Sequence, residues 1–209
     1  MSFDPNELDR SGWSLGSAAF EAIVGEVRGR GIEPARILEF GSGASTRAFA
    51  TTFQNAAIVS VDHDGRWVPE LDDLPKREHV DLRVVGLKHR VICGVPTLTY
   101  DFDPHGTFDL ALVDGPPRKL GNGRLGALLL AYAALNPGCF VVLDDACRPS
   151  ELRALARLAE MTGSRPRFIA AGHGLAIVTR EAPARVHPAV TVGAGLETLG
   201  RAISTALRR

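Results

Sequence analysis

The chain has little cysteine. Three residues in 209, Cys93, Cys139 and Cys147, share no CxxC spacing, which argues against a disulfide framework and a cysteine-held zinc. Their ordinary role is that of small apolar side chains. No long hydrophobic run is present either: the longest, Leu125 to Leu135, is too short to span a bilayer. The opening MSFDPNELDR is acidic and polar where a signal peptide needs a basic and then an apolar stretch. A cytoplasmic protein with no membrane partner is the expectation. Net charge is absent, with 24 Lys and Arg against 24 Asp and Glu. Nor is there a dense basic run interleaved with aromatics, so no nucleic-acid partner is expected. Two Trp and two Tyr give little material for a platform that stacks flat aromatic ligands.

What is present is a hydrophobic fraction of 45%, enough for one sizeable core, and the length suits a single domain over residues 1–209. Leu15, Ala19, Ile23 and Val27 fall four apart and predict an amphipathic docking helix over about Ser14 to Arg28, within residues 1–30. The core, residues 31–180, alternates two patterns. Short apolar runs without polar alternation (RILEF, AAIVSV, DLRVV, FDLALV, CFVVL) read as strands covered on both faces. Between them lie helical patterns, weak at Thr46 to Phe53 and Arg66 to Leu71, strong at Arg124 to Leu135 and Glu151 to Met161. The terminal RFIAA, GHG and LAIVT read as an antiparallel β-hairpin. The expected class is therefore α/β: a doubly wound, mostly parallel, seven-stranded sheet ending in that hairpin. Val91 to His105 is long for a plain connection and predicts an extra strand or a lid. Residues 181–209 form a tail in which Leu196, Leu199, Ile203 and Leu207 predict an amphipathic helix. That helix packs on the domain or on a second subunit, which leaves a homodimer open.

In an open parallel sheet, ligands bind beyond the C-terminal strand ends. The stretch ILEFGSGAST runs as a strand to Phe40, turns at Gly41, Ser42 and Gly43, and restarts as a helix that Ser45 and Thr46 can cap. The loop lacks the third glycine of a dinucleotide motif and the lysine of a triphosphate loop. Acids recur where strands stop: Asp62 in VSVDHD, Asp114 in LALVDGPP, Asp144 and Asp145 in VVLDDA. One such Asp is most often a turn former, but together they point to one cleft. Asp62 falls where a carboxylate can accept both hydroxyls of a ribose.

These residues resemble the class I S-adenosylmethionine-dependent methyltransferases over about Trp13 to Arg180: LEFGSGAST is similar to the family's glycine-rich first motif and VSVDHDGRW to its acidic second. The subfamily resemblance is to small-molecule and sugar O-methyltransferases. It implies a Rossmann-like cofactor core in which Glu39, Gly41 and Gly43 line the methionine part of S-adenosyl-L-methionine, with Ser42, Ser45 and Thr46 also among the cofactor-binding residues. Asp62 would bind its ribose and His63 and Leu87 its adenine, and Asp114 is a further cofactor-binding candidate. Catechol-type relatives hold Mg2+ or Mn2+ with acids that match Asp114, Asp144 and Asp145, which also makes these three the catalytic candidates. This chain departs in carrying Asp145 where those enzymes carry Asn and in lacking their lysine one turn after the first Asp. A metal-free route through Asp144, Asp145 or one of His63, His89, His105 and His173 thus stays open. Arg118, Lys119, Arg124 and Arg148 could face an anionic acceptor or serve as surface charge. The expected reaction is methyl transfer to a hydroxyl of a small polar acceptor. An NAD-dependent oxidoreductase and a noncatalytic cofactor-binding protein are the alternatives.

Overall fold

The computed structural model describes residues 8, 15–69, 74–75, 77–117 and 124–181. Helix α1 (Ser17–Gly29) precedes β1 (Arg36–Phe40), α2 (Ala44–Thr52), β2 (Ala57–Asp62) and, after a short 3-10 turn, β3 (Val80–Val84). A hairpin of β4 (Leu87–Ile92) and β5 (Val95–Tyr100) follows, then β6 (Phe108–Val113), α3 (Leu125–Ala133), β7 (Leu135–Leu143), α4 (Pro149–Thr162), β8 (Arg167–Ile169) and β9 (Leu175–Thr179). Seven strands form one sheet in the order β3-β2-β1-β6-β7-β9-β8, while β4 and β5 form a separate two-stranded sheet. Pairing is parallel from β3 to β7, and β9 runs antiparallel to both β7 and β8. The expected seven-stranded, mostly parallel architecture and its terminal hairpin are both found.

The apolar strands alternate between two cores because successive side chains point to opposite faces. Ile37, Leu110, Leu112, Phe140 and Val142 join α1 and α2 on one face, packing with Ala19, Phe20, Ile23, Val27, Ala48 and Phe49. Leu38, Phe40, Ala111, Val113, Val141 and Leu143 join α3 and α4 on the other. All eight residues of α3 from Leu125 to Tyr132 are buried, as its nearly uniform apolarity requires. Each fully buried Leu, Ile or Phe contributes about 1.5–3 kcal/mol.

Three expectations need adjustment. The first helix starts at Ser17, because Gly16 before it is extended, although Leu15 is buried as the stripe requires. No helix forms over 66–69: the Asp64 carboxylate accepts the Arg66 backbone N–H at 3.1 Å, and Pro69 disfavours a helical residue before it. The long connection starts earlier than Val91 and is a hairpin, Ile92 pairing with Val95 across Cys93 and Gly94, both at positive φ. Two positive φ values in a two-residue loop match the strands' twist. This hairpin packs on α3 where Gly126 leaves no room for a side chain: a Cβ there would lie 2.6 Å from Thr99 Cβ. The expected C-terminal amphipathic helix lies outside the described residues. Among those described, no helix is long and apolar enough to cross a membrane.

Candidate active site

The ends of β1, β2 and β6 are tied into one edge. The Gly41 N–H donates to the Val61 carbonyl at 2.9 Å, and the Phe40 carbonyl accepts from the N–H groups of Asp114 and Gly115, each at 2.8 Å. Gly41 has φ +100, and a Cβ on it would sit 2.8 Å from the Gly115 nitrogen and 2.9 Å from the Asp114 carbonyl carbon. Glycine is therefore required here by the adjacent chain. The space on its side-chain side is taken by the chain that leaves β6. The open glycine is Gly43, where the nearest atom to a Cβ would be the Trp67 carbonyl oxygen at 3.9 Å.

Glu39 shares its face of β1 with Ile37 and has no exposed surface. Its carboxylate accepts hydrogen bonds from the hydroxyls of Ser45 (2.5 Å), Ser60 (2.6 Å) and Thr46 (2.5 Å). Burial pushes its carboxyl up to about 7, against the lowering effect of the three hydroxyls. Thr46 also accepts the Gly43 N–H at 3.1 Å, and the Ser42 and Ser60 hydroxyls meet at 2.7 Å. Glu39 thus anchors the turn and the first turn of α2 from beneath. Ser60 was not singled out from the sequence, although a polar residue two before Asp62 in an apolar strand must share its face.

Asp62 is 5% exposed. One carboxylate oxygen accepts the Ser42 N–H and the other the Asp64 N–H, both at 2.9 Å, which fixes the carboxylate and leaves each oxygen a second lone pair. His63 Nδ1 lies 3.1 Å from Asp62 in poor alignment and makes no hydrogen bond. Tyr100 stacks on Phe40 with ring centroids 5.2 Å apart and approaches His63 edge-on at 6.3 Å. Its buried hydroxyl has no partner and lies beside Gly115, 2.1 Å from where a Cβ would be. Burial, then the Asp62 charge, pushes that phenol well above its ordinary range. Leu87 opens β4 and pairs in register with Tyr100, which brings the hairpin to this edge. Sequence reading counted Tyr100 only as one of few aromatics; nothing local marked the end of β5 as part of the site.

The remaining acids meet beyond β6 and β7. One carboxylate oxygen from each of Asp114, Asp144 and Asp145 lies within 4.8 Å of the others. Asp145 has φ +56, and Asp and Asn are among the few non-glycine residues that tolerate this region. Arg124, immediately before α3, is 5% exposed. Its Nη2 is 2.9 Å from both Asp114 Oδ1 and Asp145 Oδ2, and its Nη1 donates to the Asp144 carbonyl at 2.8 Å. Arg148 adds a second guanidinium, 2.5 Å from Asp145 Oδ2. Burial drives the Asp114 carboxyl well above its usual range; Arg124 opposes this and Asp144 and Asp145 reinforce it. Burial also raises Asp144, with Asp145 adding to it. Arg124 and Arg148 are thus committed to site carboxylates. Arg118 and Lys119 lie outside the described residues. Of the histidines, His89 is exposed. His105 accepts from Arg36 through its carbonyl at the opposite edge of the sheet, and His173 is exposed with Nδ1 3.8 Å from Asp145.

A doubly wound sheet with an antiparallel β9 slotted between β7 and β8, and acids ranged along the C-terminal edge of the parallel strands, is the arrangement of the class I S-adenosylmethionine-dependent methyltransferases. Residues 38–146 match the family model described as a methyltransferase domain, and the chain belongs to that family. No curated protein matches the sequence. Among solved structures, the chain is similar to the Podospora anserina methyltransferase PaMTH1 bound to S-adenosylhomocysteine, with 18% identity over 78% of this chain and 77% of that one and a TM-score of 0.52. It is also similar to a Bacillus cereus O-methyltransferase in complex with S-adenosylhomocysteine, with 13% identity, 84% and 87% coverage and a TM-score of 0.52. A third likeness is to the Thermus thermophilus 16S rRNA N2 G1207 methyltransferase, with 18% identity, 78% of this chain and 42% of that one, and a TM-score of 0.53. At these identities the likeness is one of fold.

The residues fit the adenosyl donor that this fold implies. Asp62 is a fixed acceptor with free lone pairs, Gly43 keeps the turn open, and two buried polar atoms, His63 Nδ1 and the Tyr100 hydroxyl, have no hydrogen-bond partner among the described residues. They do not fit a divalent ion. The three carboxylates cluster closely enough for one, but the Arg124 guanidinium already bridges Asp114 Oδ1 and Asp145 Oδ2.

Proposed function

We propose that the protein is an S-adenosylmethionine-dependent O-methyltransferase that acts on a hydroxyl of a small polar acceptor. The observation that carries the reading is the placement of Asp62 and Asp114 on either side of the β1 exit, Asp62 accepting the Ser42 N–H and Asp114 donating its N–H to the Phe40 carbonyl. The Gly41–Gly43 turn, with Ser45 and Thr46 beneath it, holds the methionine end of the donor. Asp62 accepts the ribose hydroxyls, each charge-assisted hydrogen bond contributing about 1.5–3 kcal/mol. His63 and Leu87 flank the adenine. The bound donor would supply an electrophilic methyl on a sulfonium: the acceptor oxygen's lone pair would form the C–O bond as the C–S bond breaks and the sulfur departs as a neutral thioether. The chain's work is then largely to bring the acceptor into line and to take the proton that its hydroxyl loses. Asp144 is the proton acceptor in this reading: it stands in the cluster of acids beyond β6 and β7, and burial raises its carboxyl above the usual range. Asp114 and Asp145, held by Arg124, form the wall beside it.

The test is S-adenosylhomocysteine release from S-adenosylmethionine across a panel of sugars and polar alcohols, paired with their amine counterparts and a guanine-containing RNA. Product from hydroxyl acceptors alone is expected. Transfer confined to amines or to the RNA would overturn the assignment of oxygen as the acceptor atom. A thermal shift with NAD(H) and none with S-adenosylmethionine would revive the oxidoreductase alternative.

A further inference from the structure

We propose that Arg124 is the resident cation of the acidic cluster, in the position a divalent metal would take, and that the site works without metal. The inference rests on the methyltransferase reading only for the reaction it serves, because the geometry stands by itself. A hard ion held by Asp114, Asp144 and Asp145 would sit about 2–2.6 Å from one oxygen of each. Arg124 Nη2 already lies 2.9 Å from an oxygen of two of them, and the same guanidinium is pinned by the Asp144 carbonyl. An ion on those oxygens and Nη2 would claim the same space. Their charges would also repel at close range in a site from which water is largely excluded.

Three further features bear on this. Arg124 Nε is buried and has no partner among the described residues. Arg148 covers Asp145 from outside, so the residue standing where relatives carry a neutral Asn has its extra charge met by two guanidiniums. Buried Glu151, which accepts from the Ser150 hydroxyl, also lies within the electrostatic reach of Arg124. A guanidinium is permanently charged and planar, with donors spread in a fork, and so can bridge two carboxylates as an ion would, but without an open coordination position. In this assignment Arg124 is a positioning residue: it bridges Asp114 and Asp145 and so fixes the carboxylates that stand beside Asp144.

The test is Mn2+ binding followed by electron paramagnetic resonance on wild type, Arg124→Met and Arg124→Lys, with S-adenosylhomocysteine calorimetry on the same samples with and without EDTA. Wild type is expected to bind no Mn2+ saturably below about 1 mM, and its S-adenosylhomocysteine affinity to be unchanged by EDTA. Arg124→Met is expected to gain a Mn2+ site at least about 10-fold tighter, as three carboxylates without a counter-cation should, and Arg124→Lys to behave as wild type. Stoichiometric Mn2+ binding by wild type that Asp144→Asn abolishes would overturn the proposal, and that arm is readable even if Arg124→Met fails to fold. So would a folded Arg124→Met that binds Mn2+ no better than wild type. Failure to bind S-adenosylhomocysteine in any sample would instead sink the methyltransferase reading, whatever the Mn2+ result.

Discussion

The two halves of the site hold their carboxylates by different means. On the β1–β2 side, Glu39 and Asp62 are held by neutral donors: three hydroxyls for the first, two backbone N–H groups for the second. On the β6–β7 side, Asp114 and Asp145 are held by guanidinium groups from Arg124 and Arg148. At Asp62 the backbone donors orient the carboxylate and leave it lone pairs for a ligand, which suits recognition of ribose hydroxyls, whereas the wholly buried Glu39 supports the turn. Guanidiniums cancel charge, which lets several acids crowd together near a reacting centre without a metal. In the proposed function, one edge of one sheet thus carries a binding half and a chemical half, distinguished by what their acids lean on.

Four measurements would break or sharpen that contrast. Asp144→Asn, on the chemical side, is expected to lower turnover about 100- to 10,000-fold while leaving S-adenosylhomocysteine affinity within about 2-fold. A comparable loss of affinity would erase the division between halves. Arg124→Met is expected to destabilise the fold by about 3–5 kcal/mol in urea titration, because it strands buried carboxylates; a change under about 1 kcal/mol would mean that the guanidinium is not the support described. On the binding side, the carboxyl of Glu39 is raised from 4.5 to about 7 in the folded chain. The folded state therefore binds this proton more tightly than the unfolded one. The stabilisation is complete below about pH 4.5 and is lost as pH rises through about 7, a difference of ~3 kcal/mol. Urea titrations at pH 5 and pH 8 on wild type and Glu39→Gln read it, and the variant should lose that part of the pH dependence. The smallest effect is at Tyr100, whose hydroxyl has no partner. Tyr100→Phe should leave the ligand-free protein as stable or up to ~1 kcal/mol more stable, and a clear loss in the thermal melt would reveal a hydrogen bond to the hydroxyl.

The same contrast explains what could be read from the chain alone. The binding half is local: Glu39, Gly41, Ser42, Gly43, Ser45 and Thr46 lie within eight consecutive residues, and their strand, turn and helix roles follow from short-range rules. The strand-end acids were legible for a related reason, since apolar runs covered on both faces stop visibly at a carboxylate. The chemical half is made by tertiary contacts. Arg124 reaches Asp145 from 21 positions away, and its sole local sign is a charged residue at the head of an otherwise apolar helix. Tyr100 reaches the site because the β4–β5 hairpin packs on α3 through Gly126, a close approach that no periodicity announces. Gly41 shows the limit of motif logic. Its glycine was legible, but its neighbour, the backbone of Asp114 and Gly115, was not.

The most direct test of the central claim is titration calorimetry of S-adenosylhomocysteine into wild type and Asp62→Ala. One-to-one binding to wild type, weakened at least about 10-fold in the variant by loss of the ionised acceptor, is the predicted result. No binding to wild type, or equal affinity in both proteins, would contradict it.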